Sequence, residues 1–278
     1  MKTPFIEVKN LSIQFRNDGK ITDAVRNVSF NLGQEKLGIV GESGSGKSTV
    51  GRALLKLHPR SASINADSMQ FKDINILTTT EKQMQKVRGN RISMILQDPK
   101  YSLNPVVTVG KQISEAFLIH TNVSQSEAKK RTLEMLNAVK IRDPKRVFNL
   151  YPHEISGGMG QRIMIAMMMI PEPEVIIADE PTSALDVSVR LQVLSVLDDL
   201  VRDRGLGLIF ISHDLNLVRS FCDRVLVMYA GRVVECIAAK DLDKSQHPYT
   251  QGLLSSLPSL ENRRSRLPVL KRSPDWIY

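Results

Sequence analysis

The sequence has 278 residues, of which 42% are apolar and 24% are charged, so it can bury a substantial core. Its apolar runs fall short of the roughly 18 to 20 residues that a membrane-spanning helix needs, so we predict no such helix. Residues 1–10 lack the apolar centre and cleavage site of a signal peptide. We therefore expect a cytosolic chain, held at a membrane only by a partner.

The net charge of +9 allows two interpretations, nucleic-acid binding or a protein that faces phosphates and anionic lipid. Much of the excess lies in one late segment with Arg263, Arg264, Arg266, Lys271 and Arg272. No aromatic residues interleave with these bases to form a stacking platform, so we expect no nucleic-acid partner. Cys222 and Cys236 have no cluster of His or Cys near them, which indicates two free thiols.

The predicted strands are residues 5–8, 11–15, 24–30, 37–40, 92–96, 175–178, 208–211, 225–229 and 232–236. Their residue patterns indicate two kinds of strand. The segments 175–178 and 208–211 are apolar throughout, which is typical of parallel strands covered by helices on both faces. The early strands alternate between apolar and polar residues and suit an antiparallel flank.

Helical patterns fill most of the stretch between residues 98 and 170, which we predict to be a lobe inserted into an α/β core. Ser124 and Glu127 form a capping box before an apolar stripe. That stripe is Ala128, Thr132, Leu136 and Val139. A second stripe is Val187, Leu191, Leu194, Leu197 and Val201. The proline-containing tail after residue 248 is predicted to be loosely packed.

The segment GESGSGKST at residues 41–49 matches the phosphate-loop pattern GxxxxGK[ST] between a strand and a helix. Its glycines let successive N–H groups turn towards phosphate oxygens at a helix N-terminus. Lys47 is expected to reach the β and γ phosphates and Ser48 to ligate Mg²⁺. The predicted nucleotide contacts are Gly41, Ser43, Gly44, Ser45, Gly46, Lys47, Ser48 and Thr49.

Polar side chains follow three of the predicted strands. Asp179 and Glu180 end the strand 175–178, where Asp179 suits Mg²⁺ binding through water and Glu180 suits a general base. His213 follows the strand 208–211 and is placed to bind the γ-phosphate and orient water. Gln97 follows the strand 92–96, and its amide is expected to contact Mg²⁺ or the attacking water.

A serine–glycine–glycine turn, Ser156, Gly157 and Gly158, precedes a helical run. Its hydroxyl, its N–H groups and the helix dipole make a second anion site. Because one chain needs one γ-phosphate site, the second indicates closure on the nucleotide of another subunit. The turn alone leaves open a glycine-rich helix cap without a ligand.

Taken in order, these motifs resemble an ABC transporter nucleotide-binding domain over residues 5–237. The resemblance implies an α/β P-loop NTPase fold (ABC ATPase) with a RecA-like core, an antiparallel β flank and an inserted α-helical subdomain. It implies a core of residues 1–97 and 171–237, a helical subdomain of residues 98–170 with the signature motif, and a C-terminal extension of residues 238–278. ATP and Mg²⁺ are the implied cofactors, with ATP hydrolysis coupled to transport.

The resemblance also assigns roles to single residues. Glu180 is the implied general base and His213 the γ-phosphate sensor. The turn at residues 156–158 serves the opposite subunit's ATP, Asp186 lines the dimer seam, and Phe15 stacks on adenine. The signature departs from the broad family, because it reads ISGGM rather than LSGGQ.

Three segments narrow the resemblance to importer ATPases for peptides and nickel: QDPKYSLNP at 97–105, PHEISGGM at 152–159 and HPYTQGLL at 247–254. This likeness implies uptake of oligopeptides, dipeptides, nickel or metal chelates. The implied partners are two permeases, contacted near residues 98–109, a second ATPase subunit of the same or a sister chain, and indirectly an extracytoplasmic binding protein. The implied location is peripheral, on the cytoplasmic face of the inner membrane.

Two alternatives remain at this stage. A soluble ABC-type ATPase of DNA repair or chromosome maintenance has the same motifs, but no long heptad segment interrupts this core. A P-loop GTPase or kinase would leave the serine–glycine–glycine turn unexplained, and no Asn-Lys-x-Asp segment occurs.

Overall fold

A computed structural model describes residues 3–17, 19–97, 102–257, 273 and 276. The strands of this part are β1 (Ile6–Asn17), β2 (Lys20–Leu32), β3 (Lys36–Val40), β4 (Ala62–Asn65), β5 (Ser68–Phe71), β6 (Ile74–Asn75), β7 (Ile92–Ile95), β8 (Val175–Asp179), β9 (Gly207–Ile211), β10 (Arg224–Tyr229) and β11 (Arg232–Ala238). Each strand predicted from the sequence is therefore confirmed, although residues 5–8 and 11–15 belong to the single strand β1.

The α-helices of the same residues are α1 (Lys47–Leu54), α2 (Glu81–Val87), α3 (Val109–Leu118), α4 (Gln125–Ala138), α5 (Pro144–Val147), α6 (Gly157–Met169), α7 (Val187–Arg204), α8 (Leu215–Phe221) and α9 (Pro248–Ser255). Short 3₁₀ turns occupy Pro152–Glu154 and Ala239–Lys244. No helix of this described part has the length and apolar character needed to cross a lipid bilayer.

The chain divides into two compact units. The first takes its residues from Met1–Thr79 and Ile209–Tyr278, and the second from Thr80–Leu208. The domain limits implied by the resemblance differ from the limits of these two compact units, and they stay a prediction.

The first unit contains an antiparallel sheet centred on β1. This strand pairs with β2 on one side and with β4 and β5 on the other, and β6 extends the sheet beyond β5. The side chains of Ile6, Val8, Leu11 and Ile13 are at most 1% exposed, which follows from the alternating pattern read in the sequence. The predicted antiparallel flank is thus confirmed, whereas β4, β5 and β6 were not predicted.

A second set of strands in this unit supports the phosphate loop. Strand β10 lies between β3, which runs parallel to it, and β11, which runs antiparallel. Leu37, Ile39 and Val40 of β3 are at most 1% exposed. Strand β3 ends where the glycine-rich segment begins, so the loop starts from a fully buried and rigid support.

In the second unit, the parallel strands β7 and β8 pair in the register Ile92↔Val175 to Ile95↔Ala178. Helix α6 packs on β7 and on α3, α4 and α7. Its buried face includes Ile163, Met164, Ala166 and Met169. The predicted helical lobe is present from α3 to α6, while residues 98–101 lie outside the described residues.

One predicted apolar stripe is only partly buried. Leu194, Leu197 and Val201 of α7 are at most 5% exposed, but Val187 and Leu191 are 70% and 61% exposed. Val189, in the first turn of α7, contacts Gly158 at the start of α6. A Cβ built on Gly158 would lie 2.4 Å from the Val189 Cγ1. The predicted helix is confirmed, and Val187 and Leu191 are the two members of its stripe that stay exposed.

The segment after residue 248 is more tightly packed than predicted. Tyr249 and Thr250 of α9 are fully buried, and the Tyr249 ring lies 4.5 Å from the ring of Tyr229. Pro248 stands in the first turn of the helix, where its missing N–H costs no hydrogen bond. The prediction of loose packing was therefore wrong for α9, and residues 258–272 lie outside the described residues.

Candidate nucleotide-binding site

The glycine-rich loop connects β3 to α1 in a conformation that only glycine tolerates at its last position. Gly46 has φ +97°, and a Cβ built on it would lie 2.4 Å from the carbonyl oxygen of Ala24. Gly46 is also the residue that precedes α1, which begins at Lys47. The loop therefore ends in a helix N-terminus, where backbone N–H groups are available to an anion.

Lys47 and Ser45 place two polar groups in the interior of this loop. Lys47 is 5% exposed, and its Nζ donates to the carbonyl oxygens of Gly41 and Glu42, each at 2.8 Å. The Ser45 hydroxyl is buried and has no hydrogen-bond partner within the described part of the chain. A buried ammonium beside a hydroxyl that lacks a partner suits the oxygens of a phosphate group.

The outer side of the loop is held by two elements that sequence reasoning did not connect with it. The Gly231 N–H, in the turn between β10 and β11, donates to the Ser45 carbonyl oxygen at 3.1 Å. The Glu42 N–H donates to the hydroxyl oxygen of Tyr249 at 3.0 Å. In the sequence, residues 247–254 show only a family likeness, because no local pattern joins them to residues 41–49.

Phe15, the predicted adenine-stacking residue, is half-buried on β1 and contacts His58, which follows helix α1 in the chain. The two rings meet edge to face with centroids 5.7 Å apart. The His58 Nε2 lies 3.0 Å from the Thr49 carbonyl oxygen, so Nε2 carries the proton and donates. Burial lowers the pKa of His58 and Arg52 lowers it further, although the bond to Thr49 opposes this change.

His213 leaves β9 close to the end of β3. The Ser212 N–H donates to the Ile39 carbonyl oxygen at 3.1 Å, two residues before the loop begins at Gly41. The next residue, Asp214, caps α8 by accepting the Leu217 N–H at 3.0 Å. His213 is exposed on a turn that both of its neighbours anchor.

In the second unit, Asp179 and Glu180 end β8. Asp179 is 6% exposed, and Glu180 has the left-handed φ of +48°, which costs a non-glycine residue strain. The Ser183 hydroxyl and N–H donate to the Glu180 carbonyl oxygen at 3.1 and 3.3 Å, and these bonds hold the turn. Such strain is often found where a side chain must be aimed for function.

Gln97 lies at the corresponding position beyond β7. Because Ile95 pairs with Ala178, Gln97 and Glu180 each follow their paired residues by two positions. Neighbouring strands lie about 4.8 Å apart, so the two residues leave the same edge of the pair. Gln97 is exposed, and the register of β7 with β8 places it at the same edge as the end of β8.

Ser156, Gly157 and Gly158 form the N-terminus of α6. Ser156 is the N-cap, and its hydroxyl oxygen accepts the Met159 N–H at 3.3 Å. Ser156 and Gly157 are exposed, so the first turn of the helix is open to a ligand. The arrangement fits both alternatives read from the sequence, a helix cap and an anion site.

Asp186 is the N-cap of α7. Its Oδ1 accepts the Val189 N–H at 3.0 Å and the Ser188 hydroxyl at 2.8 Å. The bond from the Val189 N–H and then that from the Ser188 hydroxyl lower the pKa of Asp186. The side chain thus has a structural role in this chain, in addition to the predicted place at a dimer seam.

Comparison with known proteins decides the family. The family description "ABC transporter" matches residues 25–183, which is more than half of the chain. The chain belongs to this family. ABC ATPases bind and hydrolyse ATP in coupling to transport, so this chain is an ATPase of that kind, and the resemblance read from the sequence is confirmed.

Named relatives and solved structures agree with this assignment. The oligopeptide transport ATP-binding protein OppD of Bacillus subtilis is 46% identical over 94% of this chain and 74% of its own length. The dipeptide transport ATP-binding protein DppD of the same organism is 44% identical over 98% of this chain and 82% of its own. A dimeric ATP-binding cassette bound to ADP and Pi in a post-hydrolysis state has 27% identity, a TM-score of 0.72, and coverage of 84% and 98%. These neighbours confirm the P-loop ABC ATPase fold.

Proposed function

We propose that this ABC ATPase powers the import of peptides through partner permeases. The observation that carries the proposal is its identity of 44 to 46% to transport ATPases named for oligopeptides and dipeptides, along almost the whole chain. The likeness at residues 97–105 and 247–254 supports the same subfamily. Nickel and metal chelates stay a prediction from the resemblance alone.

In this proposal, residues 41–49 bind the phosphates of ATP. Lys47 turns its Nζ from the Gly41 and Glu42 carbonyl oxygens towards the β and γ phosphates, and the Ser45 hydroxyl gains a partner. Phe15 stacks on the adenine. The buried ammonium and the helix N-terminus supply the positive potential that a triphosphate requires.

Glu180 is the proposed general base for the attacking water, with His213 at the γ-phosphate and Gln97 beside the water. The proposed Mg²⁺ ligands are the Ser48 hydroxyl, the Gln97 amide oxygen and, through water, Asp179. Oxygen donors of this kind are those that Mg²⁺ prefers. When bound, Mg²⁺ neutralises charge on the phosphate oxygens.

A second ATPase subunit completes each site in this proposal. The turn at residues 156–158 of one subunit contacts the γ-phosphate held by the other, and Asp186 lies at the seam between them. The exposure of Ser156 and Gly157 supports this role, and so does the dimeric state of the solved ABC cassette. The partner is either a sister chain or a second copy.

We further propose a peripheral location on the cytoplasmic face of the membrane, with residues 98–109 contacting two permease subunits. An extracytoplasmic binding protein delivers the peptide. Val106 is 77% exposed in this segment, which supports a protein contact there, while residues 98–101 lie outside the described residues. The alternative of a DNA-repair ATPase is not favoured by the transport relatives.

The nucleotide assignments are tested by two variants in the full chain. Lys47→Ala should lose MgATP binding, measured by isothermal titration calorimetry. Glu180→Gln should keep MgATP binding, lose nearly all phosphate release, and accumulate as a closed dimer in size-exclusion chromatography. Normal turnover in Glu180→Gln would contradict the general-base assignment.

The shared site is tested by Ser156→Arg, which introduces a large cation at the proposed contact. It should abolish ATPase activity while nucleotide still binds at Lys47 of the same chain. Ser124→Arg is a matched control, because Ser124 caps α4 in the same way. Loss of nucleotide binding in folded Ser156→Arg would argue against a site shared between subunits.

The cargo is tested by uptake in cells that lack this chain. Accumulation of a labelled oligopeptide should fail, and wild-type protein should restore it where Lys47→Ala does not. Labelled nickel serves as the second substrate. Restored nickel uptake with unchanged peptide uptake would replace the peptide assignment by the metal one.

A further inference from the structure

The C-terminal helix α9 reaches the phosphate loop through one side chain, Tyr249. Its hydroxyl oxygen accepts the Glu42 N–H at 3.0 Å. Tyr249 is fully buried, so this hydroxyl is shielded from the water that would otherwise compete for the bond. The contact links two segments of the first unit that lie far apart in the sequence.

This bond and a bond from Lys47 hold opposite ends of one peptide group. The carbonyl oxygen of Gly41 accepts from the Lys47 Nζ at 2.8 Å, and the N–H of the same peptide group belongs to Glu42. The described peptide bonds include no cis bond, so this C=O and N–H point in opposite directions. The peptide group cannot rotate without breaking one of the two bonds.

The orientation of this peptide group sets the surroundings of the Lys47 ammonium. The Lys47 Nζ also donates to the Glu42 carbonyl oxygen at 2.8 Å, so the carbonyl oxygens of Gly41 and Glu42 both bind this ammonium. When nucleotide draws the Lys47 ammonium towards the phosphates, the Tyr249 bond still holds the N–H end of this peptide group. A loop held in its binding conformation loses less entropy when the ligand binds. An anchor on the outer side of the loop therefore favours nucleotide binding.

The position of the Tyr249 hydroxyl is set by packing that does not involve the loop. The Tyr249 ring lies 4.5 Å from that of Tyr229 and 6.0 Å from that of Trp276. The next residue, Thr250, is also fully buried. The anchor thus belongs to an aromatic cluster of Tyr229 on β10 with Tyr249 and Trp276, rather than to the loop itself.

We propose that Tyr249 is a positioning residue for nucleotide binding, which acts by fixing the Gly41–Glu42 peptide group of the phosphate loop. This inference rests on the proposed assignment of nucleotide to residues 41–49. It gives the C-terminal segment a role in the affinity for ATP, since any partner that shifts α9 changes the anchor of the loop.

Tyr249→Phe in the full chain tests the proposal, because it keeps the buried ring and removes the acceptor oxygen. Binding of MgADP and MgATP, measured by calorimetry, should weaken about three- to tenfold, the range for one neutral hydrogen bond. The KM for ATP should rise by a similar factor while kcat stays within about twofold. A merely structural role would lower the melting temperature without this separation of KM from kcat.

Tyr229→Phe is the matched control. It removes a hydroxyl from the same aromatic cluster, and that hydroxyl makes no hydrogen bond within the described part of the chain. Its nucleotide affinity should equal that of the wild type. Equal weakening in both variants would show that the cluster, and not the bond to Glu42, matters, and would overturn the proposal.

Amide hydrogen exchange provides a second measurement, which reports on the Glu42 N–H directly and needs no nucleotide. The Glu42 amide of the wild type should be protected, and its exchange should accelerate in Tyr249→Phe. A wild-type Glu42 amide that exchanges at the rate of an open loop would overturn the inference. If Lys47→Ala keeps nucleotide binding, the assignment of nucleotide to the loop fails. If Lys47→Ala loses nucleotide binding but Tyr249→Phe binds nucleotide as tightly as the wild type, only the inference about Tyr249 fails.

Discussion

Gly158, in the turn that begins α6, lies directly against Val189, in the first turn of α7. A Cβ built on Gly158 would come within 2.4 Å of the Val189 Cγ1, which no side chain tolerates without movement. The contact joins the serine–glycine–glycine turn to the helix that Asp186 caps. The turn predicted to serve the opposite subunit's ATP and the helix whose cap, Asp186, is predicted to line the dimer seam are therefore in contact within one chain.

Substitution at this contact should have opposite effects in two backgrounds. In the wild type, Gly158→Ala should lower the free energy of unfolding by about 1–3 kcal/mol, as overpacking does. In a Val189→Ala background the methyl finds room, and Gly158→Ala should stabilise the helix by up to about 1 kcal/mol. Urea unfolding of the four proteins measures both values, and the same stabilisation in both backgrounds would contradict the contact.

The cap of α7 can be separated from the charge of Asp186. Asp186→Ala removes the acceptor of the Val189 N–H and should lower the melting temperature, whereas Asp186→Asn keeps an equally good cap. Both variants keep the helix sequence otherwise unchanged. An Asp186→Asn variant that melts at as low a temperature as Asp186→Ala at neutral pH would contradict the capping role of Asp186.

Acid should reveal the same cap. Because the pKa of Asp186 is lowered in the folded state, its carboxylate stabilises the fold above the pKa of the unfolded chain. That contribution is lost as the pH falls through the folded value. Asp186→Asn should therefore flatten the acid side of the stability curve, measured by thermal melting between about pH 5 and pH 3.

His58 should make stability depend on pH in a higher range. Burial lowers its folded pKa below the value of 6.5 for the free side chain, so the unfolded chain binds more protons between these two values. Stability should therefore rise with pH up to about 6.5 and fall as the pH drops below it. His58→Gln should remove part of this slope, and burial lowers the pKa of His120 too, so His120→Gln should remove another part. A slope unchanged in both variants would contradict the burial of these rings.

The two thiols should differ strongly in reactivity. Cys222 is 8% exposed and burial raises its pKa far above the ordinary value, whereas Cys236 is exposed beside the Arg224 guanidinium at 3.8 Å. Because the thiolate is the reactive form, a disulfide reagent should titrate one thiol quickly and the second only on unfolding. Cys236→Ser should abolish the fast phase, and a remaining fast thiol in that variant would show that Cys222 is accessible.

The sequence was sufficient where a local pattern determines the structure. The apolar runs that became β3, β8 and β9 are buried on both faces, and a strand–loop–helix context determines the phosphate loop. Ser124 and Ser156 cap the helices that their motifs predicted. In these cases the information lies within about ten residues of the feature, so pairing with distant segments adds little.

The features that were missed depend on partners far away in the chain. Strands β4 and β5 are only four residues long, and each of them pairs with β1. Val187 and Leu191 share the helical spacing of the buried Leu194 and Leu197, so the spacing alone does not reveal that they are exposed. The bond between Glu42 and Tyr249 joins residues 207 positions apart, and no spacing rule reaches that distance.

The chain contains a single tryptophan, and its ring lies 5.7 Å from that of Tyr229 and 6.0 Å from that of Tyr249. Indole emission responds to the polarity and motion of its surroundings, so the native protein carries its own optical reporter of the aromatic cluster. Stopped-flow mixing with nucleotide can follow that cluster in real time, in the unlabelled protein and beside any partner whose own tryptophans have been replaced.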